Sequence, residues 1–276
     1  MRNIGIMQGR LSPPTEGKFQ SFPKYTWEEE FKKAANCGLK SIEWIFEADE
    51  NENNPLSSDA GIQKIKHVCD ETGVIIEAIC ADYFMDLPYF ISSHDEKNKL
   101  QNKLKWLISQ ASKINVKYID LPFVDASSIG GPDNFNQVVE FVSPAISYAE
   151  KYQIVIALET DLNPENFKTL LERFNHPYIR ANYDTGNSSG IGYDCKAELS
   201  SYGNYISTLH IKDRLLNNGT KPLGTGSADF DTFFGELSKL NFQGPIILQA
   251  ARENDEEKTA IANREFVNTY LNRYNI

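Results

Sequence analysis

Several marks of specialised protein classes are missing from this chain, and each absence narrows its class. Cysteine is scarce and scattered: Cys37, Cys69, Cys80 and Cys195 form no C-x-x-C pair, which excludes a zinc knuckle or a thioredoxin-type redox motif. Disulfide scaffolds are mostly short secreted chains, so reduced thiols in a cytoplasmic protein are expected. No stretch approaches the roughly 20 apolar residues of a membrane-spanning helix. The apolar run Ile-Gly-Ile-Met near the N-terminus is too short for a signal peptide. Basic charge is in deficit: the formal net charge is -10, with no basic stripe along the chain. That opposes a duplex nucleic acid partner, which needs Lys and Arg to displace counterions. Low-complexity tracts are absent too, as expected of an ordinary globular protein.

What is present is a repeated alternation. Short runs rich in β-branched residues alternate with amphipathic helical patterns, the signature of parallel βα units, and the pattern occurs eight times. The expected strands are Asn3 to Met7, Ser41 to Ile45, Val74 to Cys80, Tyr118 to Pro122, Ile154 to Leu158, Ile179 to Tyr183, Ile206 to Ile211 and Pro245 to Leu248. Between them, Leu100, Leu104, Leu107, Ile108 and Ala111 keep the spacing of one helical face, as do Phe230, Phe233, Phe234 and Leu237. The sixth helix, near Cys195 to Tyr202, carries the weakest pattern. Gly38, Gly73 and Gly244 each fall between a helical run and the next strand, where a left-handed residue is expected.

The chain has 276 residues, close to the ~250 of a complete (β/α)8 barrel. The expected fold is therefore α/β, a single TIM barrel over residues 1-276 with its active site at the C-terminal rim. A doubly wound open sheet is the alternative, but the Gly-rich dinucleotide fingerprint after the first strand is missing. Two connections, about Gln8 to Tyr25 and Phe123 to Pro132, exceed the usual ~2–6 residues and lie on that rim. Each is read as a lid, an oligomer contact or a plain surface loop.

Four residues close or nearly close strands in the second half: Glu159 in Ile-Ala-Leu-Glu, Asp184 in Ala-Asn-Tyr-Asp, His210 in Thr-Leu-His-Ile-Lys-Asp and Gln249 in Ile-Ile-Leu-Gln. They are spaced by 25, 26 and 39 residues, about one βα unit each, so four strands could bring them around one point. Two carboxylates, an imidazole and an amide oxygen suit one divalent metal ion, Mn²⁺, Mg²⁺, Co²⁺ or Zn²⁺. Each has a plainer reading as well. Glu159 could be a salt-bridge partner, Asp184 could form an Asx turn, and His210 could be a satisfied core histidine.

At these residues the chain resembles the sugar phosphate isomerase/epimerase group of xylose isomerase-like barrels, which includes the endonuclease IV type of repair enzyme. The most specific pieces are Leu-Glu-Thr around Glu159, Asp-Thr-Gly-Asn from Asp184, His-Ile-Lys-Asp from His210 and Gly-Thr-Gly from Gly224. The resemblance implies Glu159, Asp184 and His210 as metal ligands. The fourth ligand, a Glu in the family, falls on Gln249. A family His three residues after the Asp is Asn187 here, and an Arg frequent six residues after the metal His is Leu216, with Arg214 nearby.

The implied activity is a metal-dependent isomerase or epimerase of a small sugar, keto-sugar or sugar phosphate, with Glu159 as catalytic base. Epimerisation needs proton exchange on both faces of a carbon, and Gln249 cannot exchange one. The substitution therefore favours a one-base aldose-ketose shift, unless Lys212, Asp82 or a metal-bound water serves as second acid. It also removes one negative charge from the ligand set, so weak metal binding is expected. Expected substrate contacts are Gln8, Arg10, Glu43, Asp82, Asn187, Lys212 and Arg252, although a Lys212–Asp213 salt bridge would explain that pair equally well. Glu43 and Trp44 are adjacent in a strand and must face opposite ways. A sugar-binding barrel with altered catalysis is the main alternative. An endonuclease IV-like phosphodiesterase is disfavoured, because His67, His94 and His176 lie outside the strand ends. The expected partner is a small carbohydrate, with neither nucleic acid nor membrane; homo-oligomerisation is left open.

Overall fold

Runs dominated by Ile, Val, Leu and Tyr fit a pleated, fully covered surface, and in this chain they pair side by side. The computed structural model describes residues 3–49 and 51–276. Its barrel strands are β1 (Ile4–Met7), β2 (Ser41–Ile45), β3 (Ile75–Cys80), β4 (Tyr118–Phe123), β5 (Val155–Thr160), β6 (Ile179–Asp184), β7 (Ile206–Ile211) and β8 (Ile246–Leu248). They form a closed barrel whose neighbouring strands all pair in parallel. Strand boundaries shift from the sequence reading by about one or two residues, as ends commonly do. The shift has a consequence at the site: β5 runs on to Thr160 and β6 to Asp184. Glu159 and Asp184 are thus held by ladder pairing rather than by loops.

The ladder slips between Ile42 and Glu43 against β3, and between Ala181 and Asn182 against β7. Such bulges re-aim side chains, and Glu43 and Asn182, just past the slips, both enter the barrel. Trp44 faces outward, against Phe22 and Trp27 at centroid distances of 5.2 and 5.3 Å. The outer helices bury the expected faces, among them Leu100, Leu104, Leu107, Ile108 and Ala111 on His94–Lys113. The weakly patterned sixth helix is present at Cys195–Tyr202. It is preceded by a short helix, Thr185–Ile191, that the sequence reading lacked. No helix among the described residues is long and apolar enough to cross a membrane.

Gly38 and Gly73 take the left-handed conformation at helix ends (φ 72° and 69°). Gly244 does not, which corrects the expectation for it. A Cβ there would lie 1.7 Å from the Ser207 carbonyl oxygen, so glycine is required by close approach of backbone to backbone.

Candidate active site

Strand pairing sets Asp184 directly beside His210, and Glu159 beside Pro122. Side chains at alternate strand positions share a face, so Asn182 and Thr208 lie one layer below Asp184 and His210. His210 is fully buried and has a carboxylate at each ring nitrogen: Nε2 is 2.7 Å from Glu43 Oε2, and Nδ1 is 3.3 Å from Glu159 Oε2. Asn182 ties the layers together. Its Nδ2 donates to Glu159 Oε2 at 2.8 Å and lies 3.1 Å from His210 Nδ1, while its Oδ1 accepts from Thr208 Oγ1 at 2.8 Å. Asn187 Nδ2 donates to the other Glu159 oxygen at 2.6 Å.

Asp184 plays two parts. Its Oδ1 accepts from the backbone N–H groups of Gly186 and Asn187 at 2.7 and 2.8 Å, an N-cap for the short helix that follows. Its Oδ2 is buried without a hydrogen-bond partner. Lys212 Nζ stands 3.6 Å from that oxygen, beyond hydrogen-bonding range. The same ammonium donates to Asn187 Oδ1 at 3.2 Å and to Gln249 Oε1 at 3.3 Å. Donor atoms of Glu159, Asp184 and His210 all lie within 4.8 Å of one another.

Burial pushes the Glu159 carboxyl up, but His210, Lys212 and Asn182 outweigh it and bring it down to about 2. Burial lowers His210, yet the Glu43 and Glu159 carboxylates raise it well above the ordinary imidazole range. Burial raises Asp184 against the opposing pull of Lys212, and it raises Asp120 well above a normal carboxylate, with Glu159 adding to the effect. The centre is thus a buried acid-imidazole cluster in which ionised Glu159 is matched by cationic neighbours.

The long β1 connection folds across the mouth and inserts Gln20. Its Nε2 donates to Asp82 Oδ2 at 3.0 Å, and its Oε1 accepts from Arg10 Nη2 and Gln249 Nε2, both at 3.1 Å. Arg10 is buried, donating also to the carbonyls of Ala250 and Phe19 at 3.1 and 3.3 Å. Arg252 donates to the Phe19 and Ser12 carbonyls at 3.0 and 2.8 Å.

The expected residues therefore separate into groups. Glu159, Asp184, His210, Gln249, Asn187 and Lys212 meet in one network, with Glu43 behind His210. Arg10 and Asp82 join it through Gln20. Gln8 and Arg252 form no hydrogen bond to the side chains of that network: Gln8 Oε1 accepts from Ile45 N at 3.0 Å, and Arg252 holds loop backbone, sharing the Phe19 carbonyl with Arg10. Asp213 corrects the salt-bridge reading. Its carboxylate accepts from the backbone of Gly224, Gly226 and Ala228 at 2.9, 2.8 and 3.1 Å, which assigns the Gly-Thr-Gly segment a loop-shaping job and leaves Lys212 to face Asp184. Sequence reasoning missed Asn182 and Thr208, although a period-two step back from Asp184 and His210 points to both. It also missed Gln20, for which the loop sequence holds no signal.

Eight parallel strands with a buried carboxylate and imidazole cluster at the C-terminal ends of several of them define a (β/α)8 barrel with its candidate site at the rim. The chain belongs to the xylose isomerase-like TIM barrel family, whose sequence model matches residues 31–270. A curated relative, the L-ribulose-5-phosphate 3-epimerase UlaE of Escherichia coli O1:K1, is 23% identical over 247 residues, covering 85% of each chain. In fold the chain is similar to the D-psicose 3-epimerase of Clostridium cellulolyticum H10, solved with D-tagatose (TM-score 0.78, 14% identity, 98% and 99% of the two chains). It is also similar to the IOLI protein solved with a zinc atom (TM-score 0.77, 16% identity, 99% of each).

Proposed function

We propose that the chain is a divalent-metal-dependent isomerase or epimerase of a small sugar, keto-sugar or sugar phosphate, working by proton transfer next to a carbonyl. The observation that carries this reading is the buried Asp184 Oδ2, which has no hydrogen bond and only the Lys212 ammonium 3.6 Å away, beside the Glu159 and His210 donors. A buried carboxylate oxygen without a hydrogen bond is costly unless a cation satisfies it closely, and two carboxylates with an imidazole fit a divalent ion. Glu159, Asp184, His210 through Nδ1 and Gln249 through Oε1 would hold it. When bound, it polarises the sugar carbonyl as a Lewis acid. Behind the ligands, Glu43 fixes the His210 ring from Nε2, the carboxylate-histidine arrangement that orients metal-binding imidazoles.

The remaining steps fall to side chains of this chain. Glu159 takes the proton from the carbon beside the carbonyl, its oxygens held in place by Asn182 and Asn187. Arg10, Asp82 and Gln20 meet substrate hydroxyls at the other side of the mouth. Gln249 carries no exchangeable acid proton, so Glu159 alone serves one face of the carbon. This supports an aldose-ketose shift directly; the epimerase names of the relatives support inversion with Lys212 or Asp82 as second acid. A cytoplasmic setting and a small carbohydrate partner accord with those relatives.

The test is proton exchange followed by NMR in D₂O, with L-ribulose 5-phosphate, L-ribulose and D-fructose as probes and Mn²⁺, Mg²⁺ or Co²⁺ added. Deuterium is expected next to the carbonyl, falling by about 10³-fold or more in Glu159→Gln, as expected for loss of a catalytic base. Saturable binding of these sugars without exchange, unchanged by Gln249→Glu, would favour a sugar-binding barrel with altered catalysis instead.

A further inference from the structure

The backbone of Lys212 is tied to Thr185 Oγ1 at 3.0 and 2.7 Å, but its side-chain ammonium faces two of the four donors assigned above. Its Nζ faces Asp184 Oδ2 at 3.6 Å and Gln249 Oε1 at 3.3 Å, with Asn187 Oδ1 at 3.2 Å. All three distances lie at or beyond the long end of N–H···O contacts, so the ammonium is attracted but not locked. The stem is steered there by the fold. It runs against Gly186, where a Cβ would come within 2.6 Å of Lys212 Cγ, and Asp213 beside it is fixed by three backbone N–H groups.

We propose that the Lys212 ammonium is a tethered rival of the divalent cation: it holds Asp184 Oδ2 and Gln249 Oε1, and it leaves them toward the mouth when the ion enters. This rests on the reading of the cluster as a divalent-metal centre. Charge accounting gives the reason. With the ion bound at Nδ1, His210 is neutral like Gln249, and Glu159 and Asp184 together match the divalent charge. An ammonium at the same oxygens competes with the ion for their lone pairs, and like charges this close repel in a buried site; the Glu43 carboxylate acts only from behind the His210 ring. An amide at position 249 sharpens the effect, because a neutral oxygen neither strengthens the ion's hold nor pins the lysine as a carboxylate would. Lys212 and Gln249 therefore act together to make metal loading reversible, and loading delivers the displaced ammonium to the substrate side.

Calorimetric titration of the full chain with Mn²⁺ tests this without any sugar. Lys212→Met should bind Mn²⁺ at least about tenfold more tightly than the unaltered protein, as loss of an adjacent like charge requires. Arg214→Met is the control. It removes the same charge from a guanidinium that donates to Asn187 Oδ1 at 3.1 Å and forms no hydrogen bond or ion pair with Asp184 or Gln249, so it should change affinity by less than about threefold. On the unaltered protein, acetylation of Lys212 read by mass spectrometry should rise on saturation with Mn²⁺. Unchanged affinity in Lys212→Met, equal tightening in Arg214→Met, or unchanged Lys212 acetylation would each overturn the proposal. Binding of neither Mn²⁺ nor Co²⁺ by either form would overturn the metal-centre reading itself and the proposal with it. If Lys212→Met does not fold, the acetylation experiment decides.

Discussion

A single side chain, Glu30, shows how burial sets the chemistry of this barrel away from its centre. Its two oxygens accept from the backbone of Gly9 and Leu11 at 2.9 and 3.0 Å, anchoring the start of the β1 connection. Burial pushes its carboxyl up to about 7 in spite of those donors. A carboxyl raised on folding binds its proton more tightly in the native state than in the unfolded chain. The stability it contributes is therefore fully present below about pH 4.5 and is lost as pH rises through about 7, a swing on the order of 3 kcal/mol. Glu47, raised to about 7, and Asp82, raised to about 6, both by burial, act in the same direction. Urea midpoints at pH 5 and pH 8 check this. The unaltered protein should lose stability relative to Glu30→Gln as pH rises, and a difference independent of pH would count against it.

At the scale of elements, two segments carry distinct predictions. The turn into β8 has no room for a side chain: at Gly244 a Cβ would meet the Ser207 backbone at 1.7 Å. Gly244→Ala should cost about 2 kcal/mol or more and lower Tm by about 4 °C or more. At Gly73 no atom lies within 4 Å of the added Cβ, so Gly73→Ala should cost only the strain of its positive φ, about 1 kcal/mol. Equal thermal shifts for the two variants would contradict the packing account. The β1 connection is held over the mouth largely by Gln20, together with the two arginines on the Phe19 carbonyl. Gln20→Ala should speed amide hydrogen exchange across residues 15–22 by about tenfold, with the strands unaffected; no change there would mean that the arginines alone hold the segment.

For the molecule as a whole, the barrel was legible because eight repeats of a strand-like run and a helical stripe leave few closed alternatives. Glu159, Asp184 and His210 were legible because a strand end is a fixed address in such a barrel. The support around them was not. The Glu43–His210 contact joins residues 167 apart in sequence, and it arises only because the barrel closes and β2 is re-aimed at its bulge. The placement of Gln20 depends on the path of a long loop that no local pattern specifies. Lys212 was legible as a neighbour of His210 but not as a contact of Asp184, since its direction is set by the Gly224 to Ala228 segment folding onto Asp213.

Whether the four strand ends form one divalent-metal centre can be read from anomalous diffraction by crystals of the full chain grown with Co²⁺ or Mn²⁺. One strong peak is expected, bonded by Glu159, Asp184, His210 Nδ1 and Gln249 Oε1, with Glu43 still on His210 Nε2 and the Lys212 ammonium withdrawn. Saturating metal with no peak at these residues, or a peak elsewhere in the barrel, would contradict such a centre.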